Sequence, residues 1–355
     1  MKVEVLQKEA IQLLKELIET PSFSSEEDET AALIENWFTQ HDIPFQRTKN
    51  NVWAVSQNYD PEKPTLLLNS HHDTVKPNAG YTNDPFRAIE DNGKLYGLGS
   101  NDAGGCLVSL LATFTYFYQK ENLRYNLVIV ASAEEESSGP NGLNSMLSII
   151  PKIDVAIVGE PTQMQLAVAE KGLVVFDAVV KGTPSHAAHP NNDNAIYNTI
   201  EVLDWFKKYR FKKSSDVLGD VKMTVTQISA GNQHNVVPAS VNLVVDVRVN
   251  DAYSNQEIAT ILQNESPCTE ITPRSLRLNS SSISIDHALV QAGISLGRET
   301  YGSPTLSDQA ALSCESLKLG PGDSTRSHTA NEFIYIDEIK EGIELYINIL
   351  EKVIV

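Results

Sequence analysis

The sequence predicts an α/β fold, a domain with a mainly parallel sheet flanked by helices, interrupted by a smaller α+β domain. Three observations predict it. Uniformly apolar runs at 65–69, 126–131 and 154–159 read as buried strands with helical stretches between them. Near Gly172 the pattern changes to alternating, β-branched strands at 173–181, 223–228 and 241–249, with helices at 193–208 and 254–264. Helical periodicity then returns and ends in an amphipathic stretch over 337–353.

Taken in order, residues 5–19 place Leu6, Ala10, Leu13, Leu14, Leu17 and Ile18 on one helical face, which Thr20-Pro21-Ser22 terminates. Ser25-Glu26-Glu27-Asp28 reads as a capping box opening a second helix that buries Ala31, Ile34, Trp37 and Phe38. A short strand at 51–55 precedes the central one at 65–69. Gly104-Gly105 opens an apolar helix over 103–118. Beyond the inserted block, helices are expected near 286–297 and 307–313, with a short apolar piece at 317–319.

At 355 residues the chain exceeds one ordinary core and fits two domains. Its formal charge of -18 disfavours nucleic acid and anionic membrane surfaces as partners. The first nine residues carry acids where a signal peptide needs a basic and then an apolar region, and no apolar run reaches membrane-spanning length. A cytoplasmic protein is expected. Cys106, Cys268 and Cys314 are odd in number and far apart, which suits a reducing compartment and excludes a cysteine-rich zinc site.

Three apolar strands end in acids or histidine. The 65–69 run leads into Ser70-His71-His72-Asp73, the 126–131 run into Glu134-Glu135-Glu136, and the 154–159 run into Glu160. In open α/β sheets the carboxyl ends of the strands form the ligand crevice, so these endings converge. Between them the glycine-rich stretch 96–105 delivers Asp102 just before a helix, and the polar stretch 320–332 carries His328. Gathering so many carboxylates costs repulsion and desolvation that cations relieve. Histidine nitrogen with carboxylate oxygen and no thiolate suits zinc, with cobalt or manganese as alternatives. A carboxylate shared by two ions would hold them about 3.5–4 Å apart. Of the adjacent histidines, alternation turns His72 away from the side that His71 faces.

With these motifs in order along nearly the whole chain, the sequence resembles the M20 family of metal-dependent amidohydrolases and peptidases, in its acetylornithine deacetylase and succinyl-diaminopimelate desuccinylase branch. The resemblance implies that two zinc ions are bound, one by His71 and Glu160 and the other by Glu136 and His328, with Asp102 bridging them. Asp73 would orient the His71 imidazole. Glu135 would be the general base that takes a proton from the attacking water and passes it to the leaving amine. The triplet is Glu134-Glu135-Glu136 where the family has Asp-Glu-Glu. Its distance to Gly142 and the strand length favour Glu135 as base and Glu136 as ligand over a shift by one position.

The resemblance also divides the chain into a catalytic metal-binding domain, 1–172 and 280–355, and an inserted lid or dimerisation domain, 173–279. Within the insert, His186 of the Gly182–Pro190 motif would stabilise the tetrahedral oxyanion from the neighbouring subunit of a homodimer, and Asn235 and Arg248 would hold the substrate. Ser303-Pro304-Thr305-Leu306-Ser307-Asp308 only partly keeps a Gly-Thr-Ser-Asp pattern that lines the acyl side, which leaves the acyl group open. The implied function is deacylation of an N-α-acyl amino acid, with N-acetylornithine or N-acetylcitrulline first and arginine biosynthesis as its place. Removal of succinyl from diaminopimelate, ornithine or citrulline, and di- or tripeptide cleavage, are the alternatives within enzymes. A binding homologue that has lost catalysis is the alternative outside them.

Overall fold

The computed structural model describes residues 2–355. The chain divides into two compact units, one made of the chain up to Val168 with Ser282–Tyr301 and Ser307–Val355, the other of Ala169–Ser281 with Gly302–Leu306. Four parallel strands form the centre of the first unit, in the order Asn126–Ser132, Thr65–His71, Val155–Val158 and Glu315–Lys318. Asn51–Val55 and Phe45–Thr48 extend the sheet antiparallel on one side.

Every residue of Thr65–His71 and Asn126–Ser132 is buried, the burial pattern of strands covered on both faces. Alternation assigns the covers. Leu66, Leu68, Leu127, Ile129 and Ile157 pack into the core shared with helices Val3–Glu19, Asp28–Gln40, Gly105–Phe117 and Ile336–Ile354. Leu67, Val128, Val130 and Ala156 instead join Leu143, Met146 and Ile150 on the other face. A mainly parallel sheet flanked by helices, as the sequence predicts, is what the first unit contains.

Register brings the strand ends together. His71 pairs with Ser132 and Asn69 with Val158, so the segments leaving the three strands start from one edge of the sheet.

Two local expectations fail. The capping box at Ser25 does not form, because Ser25 adopts φ 74° and its hydroxyl donates to Glu134 Oε1 at 3.0 Å. The helix starts at Asp28, after Glu27, whose carboxylate is occupied by the amides of Ser25 and Glu134. The helix expected at 307–313 is a single 3-10 turn, Asp308–Ala311. A small sheet of Ile89–Asp91, Lys94–Tyr96 and Phe333–Tyr335 has no counterpart in the sequence reading, since three-residue strands are too short to show a period.

In the second unit, an antiparallel sheet runs in the order Lys222–Ala230, Ser240–Val249, Gly172–Lys181 and Glu270–Pro273. Its buried alternate residues, among them Val174, Phe176, Leu243, Val245 and Val247, pack on Val202 and Phe206 of helix Ala195–Lys208 and on Ile258 and Leu262 of helix Asn255–Glu265. Here a capping box is formed, by Ser254 and Glu257.

Candidate metal centre

His71 is the last residue of its strand and only 1% exposed. Its Nδ1 lies 3.0 Å from the carbonyl oxygen of Asp73 and 3.4 Å from the Asp73 carboxylate, which leaves Nε2 to face the acids. Nε2 is 3.4 Å from Asp102 Oδ1, 3.8 Å from Glu160 Oε1 and 4.0 Å from Glu135 Oε2. Opposite, His328 Nε2 lies 3.0 Å from Glu136 Oε2 and 3.6 Å from Asp102 Oδ2. Asp102 therefore offers one oxygen to each imidazole.

Asp73 does more than face the imidazole. Its carboxylate accepts the backbone N–H of Glu135 at 3.0 Å and of Glu136 at 3.1 Å, as well as the Ser24 hydroxyl at 2.7 Å. Glu134 is turned out of the cluster, because its carboxylate accepts the backbone and side-chain N–H groups of Asn141 and the hydroxyl of Ser25. The triplet thus presents Glu135 and Glu136 to the cluster and uses Glu134 to fasten its own turn.

His72 has an unrelated set of partners. Its Nε2 donates to the Asn50 carbonyl at 2.9 Å and its Nδ1 meets the Thr30 hydroxyl at 2.9 Å. Burial pushes its pKa down to about 4, so the ring is a neutral structural strut.

Asp102 sits on a turn in which Gly99 has φ 75°. A side chain at Gly104 would place its Cβ 2.5 Å from the Gly99 carbonyl oxygen, so the turn closes tightly onto the helix that follows. The Asp102–Ala103 peptide is cis. Asp308 adds a further acid: its Oδ2 accepts the Ser132 hydroxyl at 2.5 Å, and burial raises its pKa to about 6.

The electrostatics are those of an anionic cluster in need of positive charge. Burial and then the charge of Asp102 push Glu160 up to about 8, against the opposing charges of His71 and Lys318. Glu135 is driven well above the usual carboxylate range by burial and by the charges of Glu160, Asp308 and Glu136. For His71, burial alone would lower the pKa, but the hydrogen bonds to Asp102 and Asp73 raise it well above its ordinary value. His328 is pushed up to about 9, chiefly by its hydrogen bond to Glu136.

Two histidines and four carboxylates with no thiolate form a nitrogen and oxygen donor set of the zinc type. One donor atom each from His71, Asp102 and Glu136, and likewise from His71, Glu135 and Glu160, fall within 4.8 Å of one another. The residues present fit a metal centre. Cys106 lies nearby but its thiol donates to the Pro321 carbonyl and is raised by burial, so it is not one of the donors.

His186, Asn235 and Arg248 belong to the second unit. His186 pairs with Val236 across a short bridge, and its Nδ1 accepts the Ala188 N–H at 3.1 Å. Asn235, next to Val236, accepts the Ala187 N–H on its carbonyl at 3.0 Å, so the two segments lie together. Arg248 already carries a two-pronged partner. Its Nε and one terminal nitrogen reach the Asp246 carboxylate at 2.9 and 3.1 Å, two residues back on the same strand face.

Two functionally placed acids carry no sequence signal of their own, Glu27 and Glu332. Glu332 is only 1% exposed, and its Oε1 accepts the backbone N–H of both Asn101 and Asp102 at 2.9 Å. Burial and then the charge of Asp102 raise its pKa to about 8.

Fold and cluster together define a hydrolase of amide or peptide bonds. The family model for peptidase family M20/M25/M40 matches residues 67–352, and the chain belongs to that family. Acetylornithine deacetylase of Shigella sonnei (strain Ss046) is 27% identical over 375 residues, covering 96% of both chains. Succinyl-diaminopimelate desuccinylase of Rickettsia bellii (strain RML369-C) is 25% identical over 375 residues, covering 95% of both. Among solved structures, a dinuclear metal-binding peptidase of the M20 family from Bacillus subtilis superposes with a TM-score of 0.75 at 16% identity, covering 99% of this chain and 100% of that one. No helix among the described residues is long and apolar enough to cross a membrane.

Proposed function

We propose that the chain is a cytoplasmic two-zinc amidohydrolase that removes the acyl group from an N-α-acyl amino acid, with N-acetylornithine or N-acetylcitrulline as substrate and arginine biosynthesis as its setting. The observation that carries the metal chemistry is Asp102, which presents Oδ1 to His71 and Oδ2 to His328. In this reading His71 and Glu160 hold one zinc, Glu136 and His328 the other, and Asp102 both, with cobalt or manganese able to substitute. Bound zinc polarises the scissile carbonyl and lowers the pKa of water to about 7.

Glu135 is the general base, taking a proton from the attacking water and delivering it to the leaving nitrogen. It is held for this by Asp73, which fixes the peptide N–H of Glu135 while its carbonyl meets the His71 ring. Residues 1–172 with 280–355 form the catalytic domain, and 173–279 serve as lid and dimerisation domain. In a homodimer His186 stabilises the oxyanion from the partner subunit, and Asn235 and Arg248 hold the substrate. The fork of Arg248 is engaged by Asp246, so a substrate carboxylate must compete with or join that pair. Dimerisation through the second unit is supported by exposed Ile196, Tyr197, Ile200 and Leu203 on helix Ala195–Lys208, which packs beside the edge strand Lys222–Ala230.

The N-acetyl reading takes its support from the Shigella sonnei relative, and the Rickettsia bellii relative supports a second reading, removal of succinyl, at nearly the same identity. Measuring kcat/KM on N-acetyl- and N-succinyl-ornithine and -citrulline, N-succinyl-diaminopimelate and a set of di- and tripeptides separates them. The N-acetyl substrates are expected to lead the panel, and a lead by succinyl compounds or peptides would replace this reading.

A further inference from the structure

Asp102 is placed by a turn with little stiffness of its own. Gly97 and Gly99 both have positive φ, 149° and 75°, which only glycine adopts without strain, and glycine leaves the backbone free on either side of such a conformation. What holds the turn lies more than 200 residues downstream. Glu332 Oε1 accepts the N–H of Asn101 and of Asp102, both at 2.9 Å. The carbonyl oxygen of Glu332 accepts the N–H of Gly97 at 3.0 Å. One residue therefore grips both ends of the turn, with its backbone at Gly97 and its carboxylate at Asp102.

Glu332 is fixed in turn. The next residue opens strand Phe333–Tyr335, whose Phe333 pairs with Tyr96 in the small sheet, so register sets where the Glu332 side chain enters. Asn331 Oδ1 accepts the N–H groups of Thr82 and Asn83, both at 3.0 Å. Four residues back lies His328, whose carbonyl accepts the Asn78 side-chain amide at 3.1 Å. A carboxylate buried to this degree would be costly without such donors, and its donors all belong to the turn that carries Asp102.

We infer that Glu332 is a positioning residue, a buried carboxylate that sets Asp102 against His328 by binding the backbone of the Asp102 turn. The inference rests on the proposal that Asp102 is a metal ligand. Its loss lets the turn relax, so both ions bind more weakly while the fold of the metal-free chain survives.

The test compares E332A, E332Q, E332D and D102N with the parent full-length chain. Three quantities are read: zinc affinity by competition with a chromophoric chelator, Tm of the chelator-treated protein, and kcat/KM at saturating zinc. E332A is expected to bind zinc about 10–100-fold more weakly, the usual scale for residues that orient metal ligands. E332Q keeps an oxygen that accepts both N–H groups and should stay close to the parent, while E332D falls short of the two amides and should be weakened like E332A. A purely structural role would lower the metal-free Tm of E332A and leave zinc affinity unchanged, which would overturn the inference, as would E332Q as weak as E332A. Should E332A fail to fold, E332D decides: parental zinc affinity in E332D overturns the inference. D102N separates the two levels. If D102N keeps parental zinc affinity, the ligand reading itself falls; if D102N loses zinc while E332A and E332D keep it, only the role of Glu332 falls.

Discussion

Two adjacent histidines at the end of one strand have opposite environments, and single substitutions should tell them apart. His71→Ala removes the one side chain whose Nε2 faces Asp102, Glu160 and Glu135, so zinc and hydrolysis are both expected to be lost. His72→Ala breaks hydrogen bonds to Thr30 and Asn50, which costs about 1–3 kcal/mol of stability for buried groups left without partners. Zinc content measured after dialysis should therefore be low in the first variant and parental in the second, whose Tm falls through the lost hydrogen bonds alone. Equal zinc loss in both would contradict the assignment. Glu135→Ala should keep its zinc and lose about 10²–10⁴-fold in kcat, the scale of general-base catalysis; unchanged turnover would remove Glu135 from that role. The His71 and His72 distinction is legible in the sequence, because alternation along an extended strand is enough to separate neighbours. The grips of Glu27 and Glu332 are not, because each holds the backbone of a segment far away along the chain, and the type of the gripped residue is irrelevant to a bond made by its N–H.

At the scale of elements, the parallel centre is legible since Leu66–Leu68, Leu127–Ala131 and Val155–Val158 are apolar on both faces. The site is legible for the same reason, as His71, the Glu134-Glu135-Glu136 triplet and Glu160 each follow directly on such a run. Ser25-Glu26-Glu27-Asp28 misleads because Ser25 and Glu27 bind the Glu134 turn, and tertiary hydrogen bonds displace the local cap. The short strands around Tyr96 and Phe333 leave no periodic trace, yet they bring Glu332 to Asp102. In the second unit, helix Ala195–Lys208 leaves Tyr197 70% exposed and Ile200 66% exposed beside an edge strand, the face through which we propose a homodimer forms. Ile200→Glu should therefore shift sedimentation from dimer to monomer and reduce kcat with Tm little changed. A variant that stays dimeric, or a monomer with parental kcat, would contradict that face or the partner-supplied His186.

For the whole molecule, the acidic cluster predicts how stability depends on pH and metal. Without metal, Glu160 and Glu332 are raised to about 8 and His328 to about 9, so the folded chain binds protons that the unfolded chain has released. A group with a raised folded pKa contributes stability below its ordinary value and loses that contribution as pH rises through the folded value. Asp73 and Asp102 are lowered, by hydrogen bonds to His71 acting against burial, and their opposite effect is confined to acid pH; His72, lowered to about 4 by burial, opposes the trend only below its ordinary pKa of 6.5 and is outweighed by the raised groups. The Tm of chelator-treated protein should thus fall between about pH 5 and about pH 9, and zinc, which takes the place of those protons, should flatten or reverse the fall. A Tm that climbs across that window without metal would contradict the charge balance described for the cluster.

The claim on which the rest depends is that Asp102 serves two ions at once, and calorimetric titration of zinc into chelator-stripped protein tests it most directly. The expected result is two ions per chain for the parent and a weakening of both binding steps in Asp102→Asn. One ion per chain, or a D102N variant in which only one step is weakened, would contradict it.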